Sequence, residues 1–297
     1  MRFQLFKMFE SRTSELSEAE FRKILHEKCK DFVKAPKLLQ RSKTSEGPIF
    51  SYINPKIYTR EPMNSDLIVG VSSRHHTLLM DNLPSWSKFP KRSQSVIGLT
   101  SADQRIIFGF HRYLIIPFDG ANFGVAPSSD LWACRVDITD QRPMMEDPNF
   151  GFDDRFSQFM KKNSISDNSY GEMITDLQNL YNNYHKIKLF KKDNFSDYTF
   201  KKTTINLFKK FKEKGVKNVE DGFNHFFSPD RFRGTDLDDL EGFHVMNWSY
   251  LTNLDRWHSY EFWTDSECLL YYIGKTEKED DIQEAYDSFI SDFIINK

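Results

Sequence analysis

Between Pro48 and Pro143 the chain breaks into short apolar runs divided by Pro, Gly, Asn and Asp, and nothing else in it limits the fold as much. The runs are Ile49–Ile53, Lys56–Thr59, Leu67–Val71, Val96–Leu99, Tyr113–Pro117 and Leu131–Val136. Runs this short between turn formers suit strands better than packed helices. The pattern returns late in the chain at Phe243–Trp248, Tyr260–Trp263 and Cys268–Ile273, with Thr264–Glu267 reading as a tight hairpin turn between the last two. A sheet assembled from both parts of the chain is the expectation.

Helical periodicity fills the remainder. Ser17 and Glu20 form a capping-box pattern, with Phe21, Ile24, Leu25 and Cys29 following at helical spacing, so a helix is expected over Ser14 to Val33. The polar stretch Arg41 to Gly47 reads as a connector. From about Phe150 to Gly242, Met173, Leu177, Leu180, Tyr181 and Tyr184 form one apolar face. Phe208, Phe211, Val216 and Val219 form another, with the lysines of Lys201 to Lys217 on its wet side. Glu279 to Asp281 place negative charge in the first turn of a C-terminal helix, where the helix dipole favours it. The expected class is α+β, with mixed, mainly antiparallel strands. The expected divisions are a helical segment over 1–45, a first half-domain over 46–145, a helical insertion over 146–242 and a second half-domain over 243–297.

Composition removes several function classes. A net charge of -2 in 297 residues gives no polyelectrolyte character suited to nucleic acid or an anionic membrane. The three cysteines are widely spaced and odd in number, which fits a reducing, cytoplasmic setting rather than a disulfide framework. The first residues lack the apolar core of a signal peptide, and no apolar stretch reaches membrane-spanning length. Triphosphatase, dinucleotide-fold, hydrolase and zinc-protease signatures are absent from the sequence. His225, His244 and His258 have no ligand spacing, so no metal is expected. His75 and His76 are adjacent, and a strand would send their rings to opposite faces. Asp236–Asp239 suits a solvated helix start.

The remaining lead is an ordered set of polar residues at strand ends. Arg60 follows Lys56–Thr59, and Arg74 follows Leu67–Val71 through Ser72 and Ser73. Ser95 opens, and Thr100 and Ser101 close, the strand Val96–Leu99. Glu261 stands at the start of a late strand, Ser259-Tyr260-Glu261-Phe262-Trp263. In this order the residues resemble the ADP-ribosyltransferase family in its arginine–serine–glutamate form. The stretch Trp86 to Ser93 is similar to phage-encoded proteins of that general type.

The resemblance implies a split sheet core over Pro48–Asp137 and Phe243–Ile273, and NAD as substrate. It also implies transfer of ADP-ribose to a macromolecular acceptor, a host protein in a host cytoplasm if the chain is phage-encoded. Glu261 would be catalytic, offsetting charge on an oxocarbenium-like ribose. Arg60 or Arg74, with Arg92 ranking after them, would grip the pyrophosphate with a planar fork. Ser95, Thr100 and Ser101 would orient the glutamate or the ribose, and Tyr250 and Trp257 would face the acceptor. The chain departs from the family in having Ser259 two positions before the glutamate, and Leu99-Thr100-Ser101 in place of Ser-Thr-Ser. Glu267 is a second candidate glutamate. A different class of reading also fits the abundant aromatics: a non-enzymatic phage structural or host-interaction protein. Nucleic-acid binding through Lys201–Lys217 is a third.

Overall fold

Ser17 accepts the Glu20 backbone N–H, and Glu20 reaches back to the Ser17 N–H, so the expected capping box closes in the computed structural model. The structure describes residues 14–43, 46–55, 75–101, 111–131, 134–136, 150–151, 160–161, 163–184, 207–234, 240–254, 258–275 and 279–295. In chain order the elements begin with β1 (Ser14–Glu15), α1 (Glu18–Lys28), α2 (Lys30–Lys34), β2 (Gln40–Lys43), β3 (Phe50–Ile53) and α3 (His75–Asn82). They continue with β4 (Val96–Leu99), β5 (His111–Pro117), β6 (Asn122–Val125), β7 (Arg135–Val136), β8 (Phe150–Gly151), α4 (Tyr170–Asn182) and α5 (Val219–Phe226). Last come β9 (Phe232–Arg233), β10 (His244–Asn247), α6 (Trp248–Thr252), β11 (Glu261–Thr264), β12 (Cys268–Gly274) and α7 (Glu279–Ile290). The class is α+β, and no helix among the described residues is long and apolar enough to cross a membrane.

The chain forms two compact units. The first takes in Met1–Ile68, Pro90–Val125 and Val245–Lys297, so early and late segments share one sheet. Its strand order is β1-β3-β12-β5-β2-β4-β11-β6-β10. Antiparallel ladders join β12 to β3 and β5, β2 to β4 and β5, and β11 to β4 and β6. Phe21 of α1 packs among Phe50, Tyr271, Phe289 and Phe293, which ties the first and last helices to the sheet. The strands expected over 56–59 and 67–71 lie outside the described residues.

Three expectations are corrected in this unit. Ser14–Glu15 is not helical but pairs with β3, because the cap at Ser17 fixes where the helix starts. The supposed connector at Arg41 is the inner strand β2, buried although its residues are polar. Thr264–Glu267 does not turn a hairpin, since β11 and β12 are four steps apart in the strand order. Four steps at ~4.8 Å come to about 19 Å across a flat sheet, whereas the four-residue link from Thr264 to Cys268 reaches only about 14 Å. The sheet therefore curls. Its corner is β2, which pairs along its length with β5 but meets β4 only at Gln40↔Leu99.

The second unit comprises Val69–Phe89 and Ala126–His244. It is mostly helical in its described parts, with a small sheet in the order β8-β7-β9, so the expected insertion carries strands as well. Phe208 and Phe211, in a helix over 207–213, pack on Tyr181, while Lys209, Lys212 and Lys214 are exposed as the amphipathic pattern implied. Residues 201–206 and 236–239 lie outside the described residues. Trp86 packs on Phe89, Phe232 and Phe243 and donates its indole N–H to the Phe227 carbonyl at 2.7 Å.

His75 and His76 sit not on a strand but at the start of α3, and both are buried. The His75 Nε2–H donates to the Ile165 carbonyl at 3.0 Å. Burial holds the His75 ring below the ordinary imidazole range. The unfolded chain then binds the extra proton first, so stability is full above about pH 6.5 and falls as the pH drops through the folded value. We expect urea midpoints of the wild type to decline as the pH falls below about 6.5, with a smaller decline for His75→Gln. Equal slopes in the two proteins would exclude His75 as the source.

Candidate functional site

Glu261 is the first residue of β11, a strand flanked on both sides by β4 and β6. Directly opposed residues of an antiparallel pair project to one face. The register Glu261↔Leu99 and Leu99↔Gln40 therefore puts Gln40, Leu99 and Glu261 side by side on one face of three adjacent strands. Trp263, opposite Ile97 and Gly124, is on the same face.

A guanidinium completes this face. Arg92, in a short 3-10 turn over Arg92–Gln94, places Nη2 2.6 Å from Glu261 Oε1. The two side chains retain only 5% and 11% of their exposure, so the pair is largely withdrawn from water. The Arg92 guanidinium also lies 5.4 Å from the Trp263 ring centroid, within cation–π range. Trp263 is fixed in turn: its indole N–H donates to the Pro90 carbonyl at 2.9 Å. Its ring occupies the space above Gly124, where a Cβ would come within 2.2 Å of it. Gly124, Trp263, Arg92 and Glu261 thus form one packed series.

The hydroxyls are placed differently. Thr100 Oγ1 accepts the Tyr260 backbone N–H at 2.9 Å, and the Thr100 N–H donates to the Tyr260 carbonyl at 3.0 Å. These bonds extend the β4–β11 ladder one residue past Glu261 and fix where the glutamate sits. Ser95 donates its hydroxyl to the Lys91 carbonyl at 2.7 Å and closes the turn that carries Arg92. The Ser101 carbonyl accepts from the Gln40 side-chain N–H. Arg60, Arg74 and Trp257 lie outside the described residues. Tyr250 stands on α6 with 69% of its surface exposed. Glu267 accepts the Asn54 side-chain N–H at 2.6 Å.

On the strands that border Glu261, two polar atoms lack hydrogen-bond partners among the described residues: Gln40 Oε1 on β2, and Ser259 Oγ just before β11. Both are buried, and such atoms are uncommon in folded proteins. β2 also carries two further features that the sequence reading missed. Arg41 is buried, and Ser42 accepts from the equally buried Arg112 at 2.8 Å. Nothing apolar marks Gln-Arg-Ser-Lys as a strand, and the only signal is the Leu38–Leu39 pair just before it.

Burial pushes the Cys29 and Cys268 thiols well up, which leaves neither suited to nucleophilic work. Among the described residues no group of three His, Cys, Asp or Glu side chains could hold a metal ion. In comparisons with protein families, curated proteins and solved structures, nothing matches this chain.

Proposed function

We propose that this chain is an NAD-dependent ADP-ribosyltransferase-like enzyme that moves ADP-ribose to a macromolecular acceptor. One observation carries the reading: Glu261 opens an inner strand directly opposite Leu99, the last residue of the strand that runs into Thr100 and Ser101, with a guanidinium at 2.6 Å. The curled sheet, in which two antiparallel groups of strands meet at β2, suits the split core of such enzymes.

The substrate supplies a nicotinamide leaving group on a ribose carbon, and departure of that group leaves positive charge on the sugar. Glu261 would offset that charge, and its placement by the Thr100–Tyr260 bonds would let it act without reorganising. Arg92 would hold the carboxylate in one orientation, so its role differs from gripping a pyrophosphate. Arg60 and Arg74 remain the proposed pyrophosphate ligands, and exposed Tyr250 the proposed acceptor contact. The partnerless oxygens of Gln40 and Ser259 fit a substrate rich in O–H and N–H donors.

The test is incubation with NAD labelled on its adenylate, alone and with a host-cell lysate. Release of nicotinamide and transfer of label to protein are expected. A rise in melting temperature with NAD should accompany them, because a ligand of the native state stabilises it. Absence of all three at millimolar NAD would end the reading.

The competing reading is a non-enzymatic interaction protein. The near-complete burial of the Arg92–Glu261 pair favours it, since such a pair can serve only to fasten the Arg92 turn to β11. That reading predicts no response to NAD.

A further inference from the structure

Side chains alternate along a strand, so Arg41 and Lys43 project from the face of β2 opposite to Gln40. The register sets a row of rings beside them. Arg41 is opposed by Tyr113 of β5, Tyr113 by Tyr272 of β12, and Lys43 by His111 of β5. Ile49, just ahead of β3, continues the row, and its carbonyl accepts the Tyr272 N–H at 2.9 Å. Opposed residues share a face. The neighbouring strands β3, β12, β5 and β2 therefore align Ile49, Tyr272, Tyr113 and Arg41, with His111 and Lys43 at the next position along that face. The Tyr113 and Tyr272 rings lie 5.2 Å apart, His111 shares a 2.8 Å hydrogen bond with the Tyr272 hydroxyl, and Lys43 Nζ is 4.9 Å from the Tyr113 ring centroid. Arg41 and Tyr113 are buried, whereas Lys43, His111 and Tyr272 are half-buried and Ile49 is 56% exposed.

We infer that this row binds single-stranded nucleic acid, with a base stacked on the accessible Tyr272 ring and a backbone phosphate at Lys43. The row is independent of Glu261, which lies on the Gln40 face. Rings held on a sheet face offer unpaired bases a flat surface, and every base has a π-face to set against them. Charge complementarity selects an anionic partner: Lys43 stands at the water-facing part of the row with the Arg41 guanidinium buried beside it. Glu46, exposed and close enough for its charge to act on both tyrosines, opposes it and limits how many phosphates can approach. With a net charge of -2 the chain has no general affinity for polyanions, so the rings must supply part of the binding. A duplex keeps its base faces stacked inside and cannot use them.

The experiment measures fluorescence anisotropy of a labelled oligothymidylate of about ten nucleotides with the full chain, against an abasic strand of the same length. At low salt the wild type is expected to hold the base-bearing strand at least about five-fold more tightly than the abasic one. The slope of log K against log salt should be about −0.7 to −1.4, the signature of one or two phosphates on a single strand. Tyr272→Leu should weaken binding about 5- to 100-fold, whereas Tyr272→Phe, which keeps the ring, should stay within about three-fold of the wild type. Lys43→Gln should flatten the salt slope by about 0.7. No binding at low salt, equal binding of the abasic strand, or unchanged affinity in Tyr272→Leu overturns the inference. Should Tyr272→Leu fail to fold, the abasic comparison on the wild type decides. Binding that survives Lys43→Gln with its salt slope intact but is lost when Lys209 and Lys212 are both changed to Gln belongs to the other cationic segment, and overturns it as well.

Discussion

On the transferase reading proposed above, Glu261→Gln is expected to cut NAD cleavage by roughly 100- to 1,000-fold, the usual effect of removing one preorganised electrostatic contact from a transition state. The substitution removes the charge but keeps an oxygen that can accept from Arg92, which stands 2.6 Å away. Loss of activity should therefore come without loss of structure: the far-UV CD spectrum and the NAD-dependent thermal shift should survive. Glu261→Ala differs because it takes the acceptor away from a largely buried guanidinium. Breaking a buried pair from one side costs about 3–5 kcal/mol, so this variant should lose stability as well as activity. Retention of more than a tenth of wild-type cleavage in Glu261→Gln would falsify the catalytic assignment. Equal stability loss in both variants would show that the pair matters through its charge alone.

Gly98→Ala should be among the most destabilising single-methyl additions in the chain. A Cβ at Gly98 would lie 2.5 Å from the Gln40 carbonyl oxygen, 2.6 Å from Ile115 Cδ1 and 2.9 Å from Phe262 Cζ. The nearest of these is backbone at the corner of the sheet, so it cannot swing aside as a side-chain tip would. Overpacking typically costs about 1–3 kcal/mol, and this position belongs at or above the top of that range. The control is Gly171→Ala in α4, where a Cβ meets nothing within 4 Å. That change should be neutral or stabilise by up to about 1 kcal/mol, because alanine is the better helix former. Urea unfolding of the two variants checks the contrast, and a Gly98→Ala midpoint equal to the wild type would show that β2 and β4 can part without cost.

The regular elements with strong periodicity were legible in the sequence. The Ser17–Glu20 cap, the strand at Val96–Leu99, the strand at Cys268 and the C-terminal helix fall where apolar spacing and capping chemistry place them. In each the local preference and the tertiary environment agree. β2 was not legible, because a buried strand of Gln, Arg, Ser and Lys inverts the rule that inner strands read as apolar. α3 was not legible either, since two adjacent histidines ahead of a short apolar run give no helical signature. The hairpin expected at Thr264–Glu267 failed for a third reason. A short link fixes how near two strand ends lie, and a curled sheet satisfies that nearness without pairing them.

The same division holds for the site. By itself the sequence determined that Glu261 opens a strand and that Thr100 and Ser101 end one, because strand limits follow from local pattern. It named Arg60 and Arg74 ahead of Arg92 for the pyrophosphate and put no particular guanidinium at the glutamate. Only the tertiary structure decided that Arg92 stands at Glu261, that Trp263 packs on Gly124 beneath it, and that Gln40 shares their face. Those facts depend on register across strands distant in sequence. A shift of one residue in register would carry each side chain to the opposite face.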